Sequence, residues 1–286
     1  MVKIAVAGAS TGIGRHLVDA VIYSGKHQCV VLSRNESPEM SLLGVELIVV
    51  NYEDQRTVVS ALYGVHTLIS AFNHKAANLD VSLVDAAEAA GVKRFIPSSW
   101  AVHDIRAQVN RYHGKLEVDK KLEKCSLEWA AVDCGVFMNY YATPTAGIGY
   151  LRPLKFWVDV ENCIAIDIPG TGNEPVTFIR CEDAAKQVIT AIDLKQWPKK
   201  AIKMHGDCLS FNKLVDIAQN IRGKAFQVNY LPSEDLKRGY EDNAAGFVRQ
   251  LDIAILQGKF DVQPNIEDLP KPMLMEEFLR KWWAKG

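Results

Sequence analysis

Residues 1–35 join two short apolar runs through a glycine-rich turn and a helical segment, and few folds accept that arrangement. Val2-Lys3-Ile4-Ala5-Val6-Ala7 is too short and too β-branched for a helix, and it stops at a glycine as a buried parallel strand does. Gly8-Ala9-Ser10-Thr11-Gly12-Ile13-Gly14 follows, then residues 15–23 with apolar positions at helical spacing, Gly25 as a stop signal, and the apolar run Cys29-Val30-Val31-Leu32. Strand, turn, helix and strand make a βαβ unit. The first glycine turns the chain sharply off the strand, and the others admit close approach of backbone and helix to a pyrophosphate. The helix N-terminus offers the phosphates its leading N–H groups and the positive end of its dipole. Gly8, Ser10, Thr11, Gly12, Ile13 and Gly14 are therefore the expected phosphate cradle.

The end of the second strand selects the nucleotide. An acidic residue there would accept the adenosine ribose hydroxyls, whereas a cation pairs with a 2'-phosphate. The chain has Ser33-Arg34-Asn35, so NADP(H) is expected over NAD(H), with Arg34 and Asn35 at the phosphate and Glu36 as the contrary signal.

Apolar runs at 45–50, 67–72, 94–97 and 129–132 read as further strands, and 55–63, 79–90 and 109–124 read as the helices between them. This alternation predicts an α/β class with a doubly wound parallel Rossmann sheet, whose ligands lie at the carboxyl ends of the strands. That rule nominates Ala71, Phe72 and Asn73 after the fourth strand, and Pro97, Ser98, Ser99 and Trp100 after the fifth. Beyond residue 132 the alternation fails. Strands are expected at 165–168, 176–179 and 226–230, a turn at 169–173, and helices at 181–194, 209–221, 233–240, 244–256 and 274–283. The expected division is a Rossmann portion over 1–155, completed by about 176–205, with a smaller α/β portion from about 156–175 and 206–286 closing over the substrate.

Totals narrow the function classes. With 33 basic against 34 acidic residues, the chain has no general electrostatic reason to bind nucleic acid or an anionic membrane. No apolar run approaches the roughly 20 residues of a membrane span, and no charged start leads into a signal core, so a cytoplasmic protein with a small-molecule partner is expected. The six cysteines lie far apart without a C-x-x-C pair, and the seven histidines lack metal-ligand spacing, so reduced thiols and no metal are expected. Ser98-Ser99 lacks the flanking glycines of a nucleophile elbow. Arg15-His16 follows Gly14 where a P-loop needs Lys and then Ser or Thr.

Several separated stretches, taken together, resemble the NmrA-like atypical short-chain dehydrogenases, and among them the isoflavone reductase and phenylcoumaran benzylic ether reductase branch. They are 8–14; Val31-Leu32-Ser33-Arg34; Val92-Lys93-Arg94-Phe95-Ile96-Pro97-Ser98; Lys115 with Lys120-Lys121-Leu122-Glu123; 170–173; 209–214; and Glu276-Glu277-Phe278-Leu279-Arg280. The resemblance implies an NADPH-binding Rossmann portion and a lysine beside the nicotinamide, which by position is Lys115. In such reductases that lysine acts as general acid or base while hydride passes to an aromatic substrate. A lysine desolvated in an apolar pocket loses basicity, so the role is chemically sound. Trp100, Tyr112, Phe137, Met138, Tyr140, Tyr141 and Phe178 are the expected aromatic and apolar wall of the substrate pocket. Three departures stand against the pattern. The glycine spacing is G-x-x-x-G-x-G, as in the main short-chain family, and Pro97-Ser98-Ser99-Trp100-Ala101 replaces the reductases' Pro-Ser-Glu-Phe-Gly. Tyr112 and Lys115 are three apart, so they do not form the main family's Tyr-x-x-x-Lys pair. Two alternatives stay open: a regulator that senses NADP without turnover, and an enzyme that keeps the cofactor as scaffold for an acid-base cyclisation or isomerisation. Oligomeric state is left open.

Overall fold

The structure is a computed structural model that describes residues 1–237 and 243–284. In its first half, strands β1 (Lys3–Ala7), β2 (Gln28–Ser33), β3 (Glu46–Val49), β4 (Thr67–Ser70) and β5 (Arg94–Ile96) alternate with helices α1 (Gly12–Ser24), α2 (Pro38–Leu42), α3 (Gln55–Ala61) and α4 (Ala77–Ala89). The short strand β6 (Trp100–Ala101), helix α5 (His113–Leu122) and strand β7 (Glu128–Asp133) follow. The later chain adds β8 (Val136–Phe137), β9 (Val158–Asp159), β10 (Ile164–Pro169), β11 (Val176–Ile179), α6 (Cys181–Ile192), β12 (Lys200–Lys203) and β13 (Asp207–Leu209). It ends with α7 (Phe211–Arg222), β14 (Gln227–Leu231), α8 (Ala244–Leu256) and α9 (Met275–Trp283).

Eight strands form one sheet in the order β12-β7-β5-β4-β1-β2-β3, with β6 beside β7, and every pairing in it is parallel. The strand order reverses between β1 and β4, so the crevice outside their carboxyl ends lies above Gly8 on one side and Ala71 on the other. Successive side chains of a strand point to opposite faces. Ile4 and Val6 join Leu17, Val21, Ala184 and Val188 under α1 and α6, whereas Ala5 joins Leu68, Phe95, Leu83, Val84 and Val118 on the α4 and α5 side. Burial on both faces is why β1 reads as a continuous apolar run. The later chain builds two three-stranded sheets, β14-β10-β9 and β13-β11-β8, around an aromatic core that includes Trp157, Phe178, Phe211 and Phe278.

The doubly wound parallel sheet is as the alternation predicts. Several boundaries differ. Strand β12 joins the main sheet beside β7, but Lys200-Ala-Ile-Lys203 is too polar to stand out in the sequence. The helix expected from 109 begins at His113, after a 3-10 turn over Asn110–Tyr112. Leu209 ends β13 and α7 begins at Phe211, where the Ser210 hydroxyl caps it. The helix expected over 233–240 extends outside the described residues, and its described part is the 3-10 turn Asp235–Lys237.

Candidate active site

At the nucleotide end the backbone does most of the work. Gly8 adopts φ +82°, and a side-chain carbon there would come within 2.9 Å of the Ala71 backbone and 3.1 Å of the Phe72 ring. A side-chain carbon on Gly14 would collide with the Gly8 carbonyl oxygen, so these two glycines set how closely α1 rides over the end of β1. Thr11 caps α1 without a side-chain hydrogen bond, which leaves the leading turn short of acceptors. Gly12 N–H is already taken, donating to the Tyr150 carbonyl at 2.8 Å. Tyr150 reaches that position by packing its ring on His16, centroids 4.8 Å apart, and under the Arg15 guanidinium. Ile13 is buried, whereas Ser10 and Thr11 are exposed at the tip of the turn.

Arg34 and Asn35 are exposed just past β2, and Arg34 makes no ion pair among the described residues. Its charge acts on Tyr52, whose phenol is nonetheless raised well above its ordinary value by burial. Tyr52 donates its hydroxyl to Leu32 O at 3.0 Å and meets the Phe72 ring edge-on at 5.2 Å. Asn73 accepts from Lys75 N–H and turns the chain into α4. Arg34, Tyr52, Phe72 and Gly8 thus gather at the carboxyl ends of β1, β2 and β4.

The second cluster is made of side chains. Lys115 shares the buried face of α5 with Val118 and Leu122, and it is 8% exposed. Its Nζ donates to the Ser98 carbonyl oxygen and stands 5.6 Å from the Tyr112 ring centroid. Burial pushes the amine down to about 8, Asp80 opposes that shift, and Arg106 adds to it. Arg106 is buried, donating from Nε to Ser99 Oγ at 3.2 Å and from Nη1 to the Asp119 carboxylate, which also faces His103 Nε2 at 3.3 Å. Ser98 joins the two ends. Its hydroxyl donates to Phe72 O at 2.5 Å, and Gly8 packs against Ala71 and the Phe72 ring. Trp100 Nε1 donates to Ser70 O at 3.2 Å, tying the loop after β5 to the end of β4.

Residues 2–279 match the NmrA-like family. The chain belongs to that family. It is 30% identical over 234 residues to oxidoreductase BOA1 of Botryotinia fuckeliana, covering 78% of this chain and 77% of that protein. It is 27% identical over 252 residues to phenylcoumaran benzylic ether reductase 1 of Arabidopsis thaliana, covering 82% and 79%. The fold superposes on the leucoanthocyanidin reductase–NADPH complex of Vitis vinifera with a TM-score of 0.77 at 18% identity, covering 99% and 100%.

In this NmrA-like chain the expected aromatic wall divides into two groups. Trp100, Tyr112 and Tyr140 are half-buried, with Tyr140 edge-on to Phe156 at 5.1 Å and Tyr112 edge-on to Phe247 at 5.8 Å. Met138, Tyr141 and Phe178 are enclosed by core neighbours and Phe137 nearly so, with Tyr141 on Phe178 and Phe178 on Phe211. These four present almost no surface to a ligand in this conformation. A cavity of about 370 Å³ opens nearby between the segment leading into β9, strand β10 and α8, lined by Phe156, Trp157, Ile164, Ile166, Val248 and Arg249 among others. None of the sequence-nominated residues lines it; Phe156 connects it to Tyr140. Fully buried Asp252 accepts from Trp157 Nε1 at 2.6 Å and from Arg249 at 3.1 Å, fixing two of the lining side chains.

Sequence reasoning missed Tyr52, Asp80, Arg106 and the role of Tyr150. Asp80 left a signal: it falls on the same helical face as Ala77, Leu83, Val84 and Ala87, where a carboxylate is out of place. Arg106 and Tyr150 left none, because both come from irregular segments whose neighbours are set by the fold.

Proposed function

We propose that the chain is an NADP(H)-dependent reductase of a small, largely apolar, ring-bearing metabolite, with Lys115 supplying the proton. One observation carries this reading: a buried amine of lowered basicity is tied through Ser98 and Phe72 to the glycine turn that would hold the dinucleotide. The residues suit the cofactor. Gly8 and Gly14 leave no side chain between the turn and a pyrophosphate, α1 has no side-chain cap competing for its leading amides, of which only that of Gly12 is engaged by Tyr150 O among the described residues, and Arg34 forms no ion pair among the described residues where a 2'-phosphate would lie. Relatives named as oxidoreductase and reductase, and a neighbour in complex with NADPH, support the same assignment.

NADPH supplies a hydride when bound. The chain's own residues do the rest. Arg34 pairs with the 2'-phosphate and Asn35 borders it, while the first turn of α1 holds the pyrophosphate. Ala71, Phe72 and Asn73 form the floor at the end of β4, and Ser98 fixes the height of Lys115 above it. The Lys115 ammonium donates a proton to the substrate atom that gains negative charge, a transfer worth about 10²–10⁴ in rate for a well-placed acid. Trp100, Tyr112 and Tyr140 stack on the substrate ring and exclude water, and the cavity beyond Phe156 takes whatever part of the molecule extends past them.

The test is a nicotinamide fluorescence titration with NADPH and NADH, followed by NADPH consumption against a panel of aromatic ketones, quinones and benzylic ethers. Tighter NADPH binding and consumption with some panel member are expected. Equal affinity for both nucleotides sinks the 2'-phosphate assignment. NADPH binding with no consumption across the panel transfers support to the sensing regulator, and substrate change without NADPH consumption transfers it to the non-redox enzyme.

A further inference from the structure

Two ionisable side chains of opposite sign are enclosed beside the site, and the mechanism above uses only one. Asp80 on α4 is 1% exposed, and its Oδ1 is buried with no hydrogen-bond partner among the described residues. A buried polar atom left unpaired is costly, so its retention calls for a reason. Lys115 is buried on the neighbouring helix α5, and the two charges act on each other. The two helices are drawn together at this level, because Gly114 stands where a side-chain carbon would lie 3.0 Å from Ala77 Cβ. Gly114 adjoins Lys115, and Ala77 is on the same face of α4 as Asp80. Carboxylate and ammonium do not form a direct ion pair among the described residues, but in a low-dielectric interior their attraction carries across a larger gap than in water.

We propose that Asp80 is a positioning residue for Lys115: its enclosed carboxylate is the counter-charge that keeps the amine protonated and ready to donate, with Ser70 holding the carboxylate from β4. The inference rests on the reading of Lys115 as proton donor. The other groups around the amine do not replace Asp80. Arg106 opposes the ammonium, and Asp119 favours it but is engaged by Arg106 and His103. Tyr112 offers a ring face, and its phenol is held neutral by burial, which pushes it up to about 12. Around Asp80, burial raises the carboxyl to about 6, while the Ser70 hydrogen bond, Lys115 and Arg106 pull it down. With the amine at about 8 and the carboxyl at about 6, both groups are charged in the interval between.

Coupling is read directly on the lysine. The full chain is labelled with carbon-13 at the lysine ε-carbons, the Lys115 resonance is assigned by its loss in Lys115→Arg, and pH is varied without substrate or nucleotide. The wild-type curve should show its main midpoint near pH 8 and a smaller inflection near pH 6, where Asp80 titrates. In Asp80→Asn the midpoint should fall by about one unit or more, the size of effect an opposing charge has on a buried amine, and Asp80→Glu should restore most of it. A wild-type curve without the lower inflection, or an Asp80→Asn midpoint within a few tenths of wild type, overturns the proposal. If Asp80→Asn does not fold, the wild-type curve decides. The readout needs no turnover, so the two readings fail separately. Coupling present with no NADPH consumption fails the reductase alone, and coupling absent with consumption intact fails Asp80 alone.

Discussion

The two ends of the site are built by different means. At the nucleotide end, contiguous residues 8–14 fold locally, and the close approach is set by missing side chains at Gly8 and Gly14. At the lysine end, Ser70, Asp80, Ser98, Arg106, Lys115 and Asp119 come from separate stretches and interact only because the sheet and its helices bring them together. The first end offers backbone dipoles that water can reach. The second encloses charged side chains, where each unpaired group is costly and each pairing strong. The difference teaches that truncating side chains at the nucleotide end should cost little folding stability, although Gly8 and Gly14 accept no added side chain, whereas truncation at the lysine end should cost much more.

The sharpest probe is Lys115→Met. Reduction should slow by about 10²–10⁴-fold while NADPH affinity, measured by fluorescence titration, changes far less. An equal loss of both would mean that the lysine serves the nucleotide end after all. With the wild type, the rate should fall as pH rises through about 8, since the donating ammonium is lost there, and a rate that instead climbed would make the amine a base. Arg106→Met should come next. It strands the Asp119 carboxylate that the guanidinium now holds, and removing one partner of a buried pair destabilises by roughly 3–5 kcal/mol, readable in the urea midpoint. A loss under about 1 kcal/mol would show this network to be as tolerant as a surface pair. Arg34→Ala should weaken NADPH by about 1.5–3 kcal/mol, the worth of a hydrogen bond to a charged group, and leave NADH and the urea midpoint unchanged. Tyr52→Phe should have the smallest effect. It deletes the hydrogen bond to Leu32 O at about 1 kcal/mol of stability, and a larger loss would show that the nucleotide end also depends on side-chain networks.

How much of this was legible follows from the same contrast. The βαβ unit, its glycines and Arg34 sit within 34 residues of chain, so spacing alone orders them. The main sheet was legible because strands buried on both faces are continuous apolar runs, and β12 escaped because at the sheet's edge it keeps two lysines. The aromatic wall was legible as composition but not as geometry. Phe178 and Tyr141 look like Trp100 and Tyr140 in sequence, yet Phe178 sits in the middle of β11 against Phe211 while Tyr140 stands half-open against Phe156. The cavity beside Phe156 was invisible because its lining comes from the β9 and β10 hairpin and from α8, some eighty residues apart in the chain.

By itself the sequence determined the fold class, the glycine turn between the first strand and helix and the place of Lys115 on a helix, because these depend on periodicity and on residues a few positions apart. Only the tertiary structure decided that Lys115 is enclosed, that it donates to the Ser98 carbonyl, and that the helix carrying the buried Asp80 packs closely against Gly114. The physical reason is that an amine's basicity depends on the solvent it loses and the charges it gains, and both are contributed by residues remote in the chain.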